Sequence, residues 1–206
     1  MTVRFASFVL GLALIASGVD PFTAASGAEP PALVLTSSRI TIAGTSNIHA
    51  YSATTTAARL VRSQVAVVSG PSFWDAAVAP GALEVFELTV PAETLTSGKD
   101  GLDKNMLKAL KVADHPNITF RVVASRAGAT PGTLAVDGRL AIAGVERDVT
   151  LAITPRREGA TLTLKGQVDL LMTDFGITPP KAMLGMLKTD PKVTLTFEAV
   201  LTSPLT

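Results

Sequence analysis

Cysteine is absent from this chain of 206 residues. Its absence excludes disulfide bridges, thiolate metal sites and cysteine nucleophiles. Histidine is scarce as well, because His49 and His115 are the only 2 in the sequence, and they are too few for a histidine-rich metal cage. The sequence therefore predicts no metal and no cofactor, and any catalysis would have to rely on carboxylates or hydroxyls.

An excess of charge of one sign is also missing. The chain has 18 Lys and Arg residues against 17 Asp and Glu residues, and only 17% of its residues are charged. Such a surface creates no net field that would recruit nucleic acid. Aromatic residues make up 5% and hydrophobic residues 47% of the chain, which is rich in Thr, Val, Leu and Ala. This composition favours β structure, and the length of the chain fits a single domain.

The most apolar run stands at the N-terminus. Arg4 precedes the apolar residues 5–16, a run too short to span a bilayer comfortably, and Ser26 and Ala28 fit a cleavage site before Glu29. We expect residues 1–28 to be a signal peptide and residues 29–206 to be the domain, exported to the periplasm without an integral membrane span. A retained membrane anchor is the alternative.

From Leu33 onward, apolar and polar residues alternate, which is typical of antiparallel strands. The pattern is clearest at 193–201 (VTLTFEAVL) and recurs at 83–90, 117–124 and 134–142. In the last of these segments, Gly138 is expected to allow a bend or bulge. Further strands are predicted at 39–42 and 50–60, and turn residues separate consecutive hairpins after 142. About eight strands result, enough to close a small barrel.

Two segments interrupt the strands. Residues 99–112 (KDGLDKNMLKALKV) carry apolar residues at helical spacing, so a short amphipathic helix is predicted whose Met106 and Leu110 either plug a barrel end or form a lid. Residues 174–191 form a long loop with an apolar patch from Met183 to Leu187. That patch either packs locally, forms a portal or touches a membrane surface.

The order of these segments resembles the YceI-like family of bacterial envelope proteins. The segments that carry the resemblance are GTSNIHAYSAT (44–54), ELTVPAETLTSGKDGLDKNMLKALKVADHPNITFRV (87–122), GRLAIAGVERDVTL (138–151) and DFGITPPKAMLG (174–185). The resemblance covers about residues 33–201 and implies a single antiparallel, eight-stranded, lipocalin-like β-barrel that binds a polyisoprenoid or another amphipathic lipid. The chain departs from the family where Ala50 and Tyr51 follow His49, and where Lys99 and Asp100 replace the usual Arg-Asp.

The inward face of such a barrel mixes Leu and Ile with Ala and Gly, which leaves room for a slim apolar guest. Each buried methylene would contribute about 0.8 kcal/mol, so a prenyl chain could bind tightly without a polar anchor. The candidate ligand-binding residues are His49, Phe86, Leu88, Met106, Leu110, Phe120, Val122, Leu140, Ile142, Phe175 and Phe197. Each of them could equally be plain core, His49 could be a satisfied strand histidine, and Trp74 could cap the barrel or pack locally.

Three functions remain open at this point. The leading one is a periplasmic carrier of an isoprenoid-like lipid, either monomeric or as a homodimer. The alternative is a non-catalytic cell-envelope interaction or stress-related structural module with a filled barrel. The third, a hydrolase that uses Ser46 or Ser52 with His49, has little support because no nucleophile elbow, P-loop or dinucleotide motif occurs. The sequence therefore predicts that the protein is not an enzyme.

Overall fold

The computed structural model describes residues 33–66, 73–182 and 186–204. The predicted signal peptide at 1–28 lies outside the described residues, as do Met183 and Leu184 of the predicted loop patch. No helix in these three ranges is both long enough and apolar enough to cross a membrane.

Antiparallel strands dominate the described part of the chain, in agreement with the alternation of its residues. Short 3-10 helices at Ala92–Thr94 and Met172–Phe175 accompany the regular elements. These elements are β1 (Val34–Ser46), β2 (Ala50–Thr55), β3 (Arg59–Val65), α1 (Phe73–Ala77), β4 (Leu83–Pro91), α2 (Asp100–Ala109), β5 (Asn117–Ala127), β6 (Leu134–Ile142), β7 (Val145–Glu158), β8 (Thr161–Leu171), β9 (Lys181–Ala182) and β10 (Leu187–Thr202).

The strands form a curled antiparallel sheet in the order β2-β1-β10-β8-β7-β6-β5-β4-β3, with β9 paired to β10 beside this path. The two edges, β2 and β3, are consecutive in the chain. Hydrogen bonds connect the beginning of β1 to β3 and to the link before it: the Leu33 N–H donates to Ser63 Oγ over 3.0 Å, and Ser38 Oγ donates to the Thr56 carbonyl over 3.2 Å. The interior of the curled sheet is therefore surrounded by strands on most sides.

The predicted eight-stranded closed barrel is only partly found. The segment at 50–60 was expected to be one strand, but the hydroxyl of Thr55 accepts a hydrogen bond from the Ala57 N–H at 3.1 Å and turns the backbone. The segment consequently supplies β2 to one edge and β3 to the other, and the hydrogen-bonded path has nine strands instead of eight. The helix at 99–112 is confirmed as α2, and α1 was not predicted.

The alternation assigns the two faces of the sheet correctly. On β10, Ala199 and Leu201 are buried inside, and the outer face carries cross-strand ion pairs such as Lys165 with Glu198 at 3.1 Å. The predicted irregularity at Gly138 is also found, because β5 shifts register between Val122 and Ala124, directly opposite this glycine.

Helix α1 covers one end of the sheet interior. Phe73 and Trp74 are 0% and 2% exposed, and their rings meet edge to face at 5.1 Å. Both belong to a buried cluster that includes Phe86, Val122 and Leu201 from three different strands. Trp74 therefore caps this end by packing into the core.

Helix α2 lies at the other end. Leu110, directly after its last turn, is buried in a second cluster with Leu140, Ile142 and Phe175, and Met106 packs against the same cluster. The ends of the sheet interior are thus covered by two helices: α1 inserts its two aromatic rings into the core, and α2 is amphipathic.

Candidate functional site

Two apolar cavities lie inside the curled sheet. The first, called the upper chamber, has a volume of about 290 Å³ and lies beneath α2. The second, called the lower chamber, has a volume of about 120 Å³ and lies deeper, toward α1. Interior side chains such as Leu195 and Phe197 are only partly buried despite facing inward, because they border these cavities.

The structure places every predicted ligand-binding residue on the lining of one chamber or the other. Those on the upper chamber are His49, Met106, Leu110, Ile142 and Phe175. Those on the lower chamber are Phe86, Leu88, Phe120, Val122, Leu140, Ile142 and Phe197. Their contact with a ligand remains a prediction, but they do form one connected surface.

Several lining residues were missed by the sequence reasoning. Leu170 and Leu195 point inward on β8 and β10, so the period-two pattern of these strands could have identified them. Ile177 reaches the upper chamber from a loop, where no periodic signal exists. Leu102 and Asn105 belong to the predicted helix, but the face that α2 turns toward the cavity is fixed only by tertiary packing.

Polar groups from the β1–β2 segment and from α2 with its N-cap border the upper chamber. His49, Tyr51, Lys99 and Asn105 all line it. His49 is exposed and follows a turn that Ser46 closes, since Ser46 Oγ donates to the His49 carbonyl at 2.8 Å and accepts from the His49 N–H at 3.1 Å. We call these polar groups the mouth of the chamber.

The mouth lacks the arrangement expected of a serine hydrolase. The Ser46 hydroxyl donates its hydrogen to the backbone of His49 and not to the imidazole ring. Ser52 is exposed on the outer face of β2, whereas its neighbours Tyr51 and Ala53 line the chamber. Neither serine is therefore positioned to act as a nucleophile with His49 as its general base.

Tyr51 keeps its phenolic hydrogen at neutral pH. Partial burial, with a smaller contribution from the negative charge of Asp190, raises the pKa of Tyr51 above its ordinary value. The hydroxyl at the mouth is therefore available both as a donor and as an acceptor.

Loop contacts hold the other side of the mouth. The Asn47 N–H donates to the Lys188 carbonyl at 3.1 Å, and the Asn47 side chain donates to the Met186 carbonyl at 2.9 Å while accepting from the Lys188 N–H. In the predicted 183–187 patch, Leu187 lines the upper chamber and Met186 is 65% exposed. The portal and membrane-contact interpretations of this patch remain predictions.

Asp103 anchors α2 over the chamber. Its carboxylate accepts hydrogen bonds from the Ser97 N–H at 2.7 Å and the Thr96 hydroxyl at 2.6 Å, and also from the Ser97 hydroxyl. The side-chain bond from Ser97, followed by that from Thr96, lowers the pKa of Asp103. Thr96 in turn exchanges two backbone hydrogen bonds with Thr54 of β2, so the loop before α2 is tied to the sheet.

The C-terminal end of α2 is closed by a Schellman motif. The Val112 N–H donates to the Leu107 carbonyl at 3.2 Å, and the Lys111 N–H donates to the Lys108 carbonyl at 3.1 Å. Lys111 adopts φ 53°, in the left-handed region where glycine is usual. Both ends of α2 are therefore fixed, which favours a plug over a loosely attached lid.

Aromatic rings pack closely against glycines on the inner face of the sheet. Tyr51 covers Gly44, Phe120 covers Gly138, and Phe197 covers Gly166. A Cβ atom added at Gly138 or Gly166 would stand 2.5 Å or 2.6 Å from a ring carbon, closer than carbon atoms approach without displacement. The glycines let these rings lie close to the sheet, and the interior stays open.

No group of three or more His, Cys, Asp or Glu residues in the described part of the chain is placed to hold a metal ion.

Comparisons with known proteins match this architecture. A model of the YceI-like domain matches residues 36–201. No protein of curated function matches the chain in sequence.

Solved structures share the fold. BcnA from Burkholderia cenocepacia is 18% identical with a TM-score of 0.59, covering 79% of this chain and 95% of its own. A polyisoprenoid binding domain from Saccharophagus degradans, implicated in plant cell wall breakdown, is 15% identical with a TM-score of 0.56, covering 85% and 100%. The YceI protein of Campylobacter jejuni is 12% identical with a TM-score of 0.51, covering 69% and 82%. At these identities the similarities to solved structures establish the fold alone. Because the YceI-like domain model matches most of the sequence, the chain belongs to the YceI-like family.

Proposed function

We propose that this protein binds and carries a long apolar or amphipathic lipid, such as a polyisoprenoid, in the interior of its curled sheet. The observation that carries the proposal is the pair of adjoining apolar chambers, which share lining residues and lead from a polar mouth toward the buried rings of α1. The description of the Saccharophagus degradans structure as a polyisoprenoid binding domain supports the same ligand class.

The cavity volumes suit part of a chain and not a bulky ligand. The upper chamber, at about 290 Å³, is close to the small end of ligand pockets, roughly 300–1,000 Å³. Association costs roughly 4 kcal/mol or more. At about 0.8 kcal/mol per buried methylene, about fifteen chain carbons would have to be buried for micromolar affinity. A farnesyl chain meets this requirement.

The lining also favours one orientation of the lipid. The lower chamber is bordered almost entirely by apolar side chains, whereas His49, Tyr51 and Lys99 stand at the mouth. A polar head group would lose its hydration in the lower chamber without gaining partners, which is unfavourable. The lipid therefore enters with its tail first and leaves its head group among the donors of the mouth.

The proposal includes the biological setting. Residues 1–28 act as a signal peptide, the domain formed by residues 29–206 works in the periplasm, and the two sheet edges meet as a barrel in solution. The protein carries its lipid without chemical conversion, as a monomer or homodimer. The open chambers favour this role over a structural module with a filled barrel.

Lipid extraction tests the proposal directly. The protein is purified from its native envelope, denatured in organic solvent, and the extract is analysed by mass spectrometry beside that of an unrelated protein from the same fraction. We expect a prenyl lipid in a stoichiometric amount in the first extract alone. An empty extract from well-folded protein would contradict the carrier function and favour the interaction module.

A further inference from the structure

Three aliphatic side chains separate the two chambers. Ile42, Ile142 and Leu195 line both cavities, so they lie at the boundary between them. Ile42 of β1 and Leu195 of β10 are direct partners in the sheet. Ile142 stands at the end of β6, and β8 and β7 lie between its strand and β10 in the sheet order. The three side chains therefore converge from two walls, and we call them the collar.

The collar has little freedom to widen. Isoleucine is branched at Cβ and has restricted χ1 rotamers, so Ile42 and Ile142 cannot fold away as a methionine could. Ile142 is 6% exposed and belongs to the buried cluster beneath α2, and Ile42 and Leu195 pack against that cluster. Contacts with this buried cluster thus hold the three collar side chains in position.

Below the collar, the path for an apolar chain is short. The lower chamber has a volume of about 120 Å³. Beyond it lies the buried cluster that contains Phe73 and Trp74 of α1 as well as Val122 and Val136 of the chamber wall. A chain that passes the collar therefore meets α1 after a limited distance.

We propose that the collar and the floor formed by α1 measure the length of a linear prenyl chain, so that the protein selects lipids by the number of prenyl units. This inference rests on the proposed lipid-binding function and adds the specificity-determining residues. A short chain stays in the upper chamber, above the collar. A longer chain gains affinity from each unit that enters the lower chamber, and additional units beyond that length remain outside the mouth and add nothing.

The prenols geraniol, farnesol and geranylgeraniol, which share one head group, test the inference by calorimetric titration. In the unaltered protein we expect geranylgeraniol to bind at least about tenfold more tightly than geraniol, because additional methylenes are buried. Leu195→Phe narrows the collar and should remove most of this advantage while the affinity for geraniol stays the same. Leu195→Ala widens the collar and should retain or increase the advantage.

Val193→Ala is the matched control. Val193 lies two residues from Leu195 on the same face of β10 but lines the upper chamber alone. Its truncation should change the affinity for all three prenols by a similar factor and leave their ratio unaltered. A change in the ratio equal to that in Leu195→Phe would overturn the assignment of the collar.

The single tryptophan of the chain provides a second readout, because Trp74 lies at the floor. A stearate with a bromine atom, which is about as large as a methyl group, near its methyl end should quench Trp74 fluorescence more than one with the bromine near its carboxyl end, and Leu195→Phe should abolish the difference. The emission of Trp74 without ligand also verifies that each variant is folded. If no prenol binds to the unaltered protein, the proposed function fails. If prenols bind, but the folded Leu195→Phe variant keeps both the preference for longer chains and the stronger quenching by the methyl-end label, only the collar inference fails.

Discussion

Substitution of Gly138 by alanine should both destabilise the protein and reduce the lower chamber. The new Cβ would lie 2.5 Å from two ring carbons of Phe120 and 2.7 Å from the Arg121 carbonyl oxygen. The carbonyl belongs to the β5 backbone, so the ring must give way toward the interior. Because Phe120 lines the lower chamber, the displaced ring enters the space that we assign to the lipid tail.

The cost follows from two opposing effects. Overpacking of an interior site costs roughly 1–3 kcal/mol. Replacement of glycine by alanine recovers roughly 0.5–1 kcal/mol, because the unfolded chain loses conformational freedom. We expect a net destabilisation of about 1–2 kcal/mol, which corresponds to a decrease in Tm of roughly 2–8 °C for a chain of this size.

Thermal unfolding followed by circular dichroism, together with geranylgeraniol titration, measures both effects. Gly101→Ala is the matched control, because a Cβ at this position in α2 meets no atom within 4 Å. It should raise the Tm slightly, as alanine favours a helix. Phe120→Leu combined with Gly138→Ala should recover part of the stability lost in the single variant, since the smaller side chain relieves the contact. The reasoning is refuted if Gly138→Ala is as stable as Gly101→Ala and binds geranylgeraniol unchanged.

Three further predictions concern the elements around the mouth. Lys111→Gly should stabilise the protein by about 1 kcal/mol in chemical denaturation, because φ 53° is strained for lysine and unstrained for glycine; no gain would contradict the left-handed conformation. Asp103→Asn should lower the free energy of unfolding at neutral pH. Because the pKa of Asp103 is lower in the folded protein than in the unfolded chain, where it is about 3.9, the stabilisation is present above that value and is lost as the pH falls through the folded pKa. Denaturation curves at several pH values should therefore show the two proteins converging in acid, and a pH-independent difference would count against the hydrogen bonds to Ser97 and Thr96. Asp190→Asn should lower the pKa of Tyr51 measured by ultraviolet titration, but not to its ordinary value, since burial is the larger cause; an unchanged pKa would exclude the charge of Asp190 as a contributor.

Local patterns were sufficient to predict most of the regular elements. Alternation in 193–201 identified both faces of β10, and apolar residues at helical spacing identified α2, because these periods follow directly from backbone geometry. The interruption between β2 and β3 was not predictable in this way. Thr55 occurs in a run that is favourable for a strand, and only its hydrogen bond to Ala57 reveals the turn.

The candidate site shows the same division. The inward positions of Phe120 and Phe197 could be predicted from alternation, and both line the lower chamber. Their close packing against Gly138 and Gly166 could not, because each glycine lies on a neighbouring strand and the contact depends on register. Register also pairs Ile42 with Leu195 and thereby creates one wall of the collar.

The sequence by itself determined the strand content, the amphipathic helix and the membership of the YceI-like family, because these depend on residue order and on periods of a few residues. Tertiary structure alone decided that the interior is open, that it is divided at Ile42, Ile142 and Leu195, and that one end is covered by Trp74. An apolar side chain on the inner face of a sheet can fill a core or border a cavity equally well. The difference arises from the curvature of the sheet and from side chains that approach from distant strands, and neither is encoded in any local pattern.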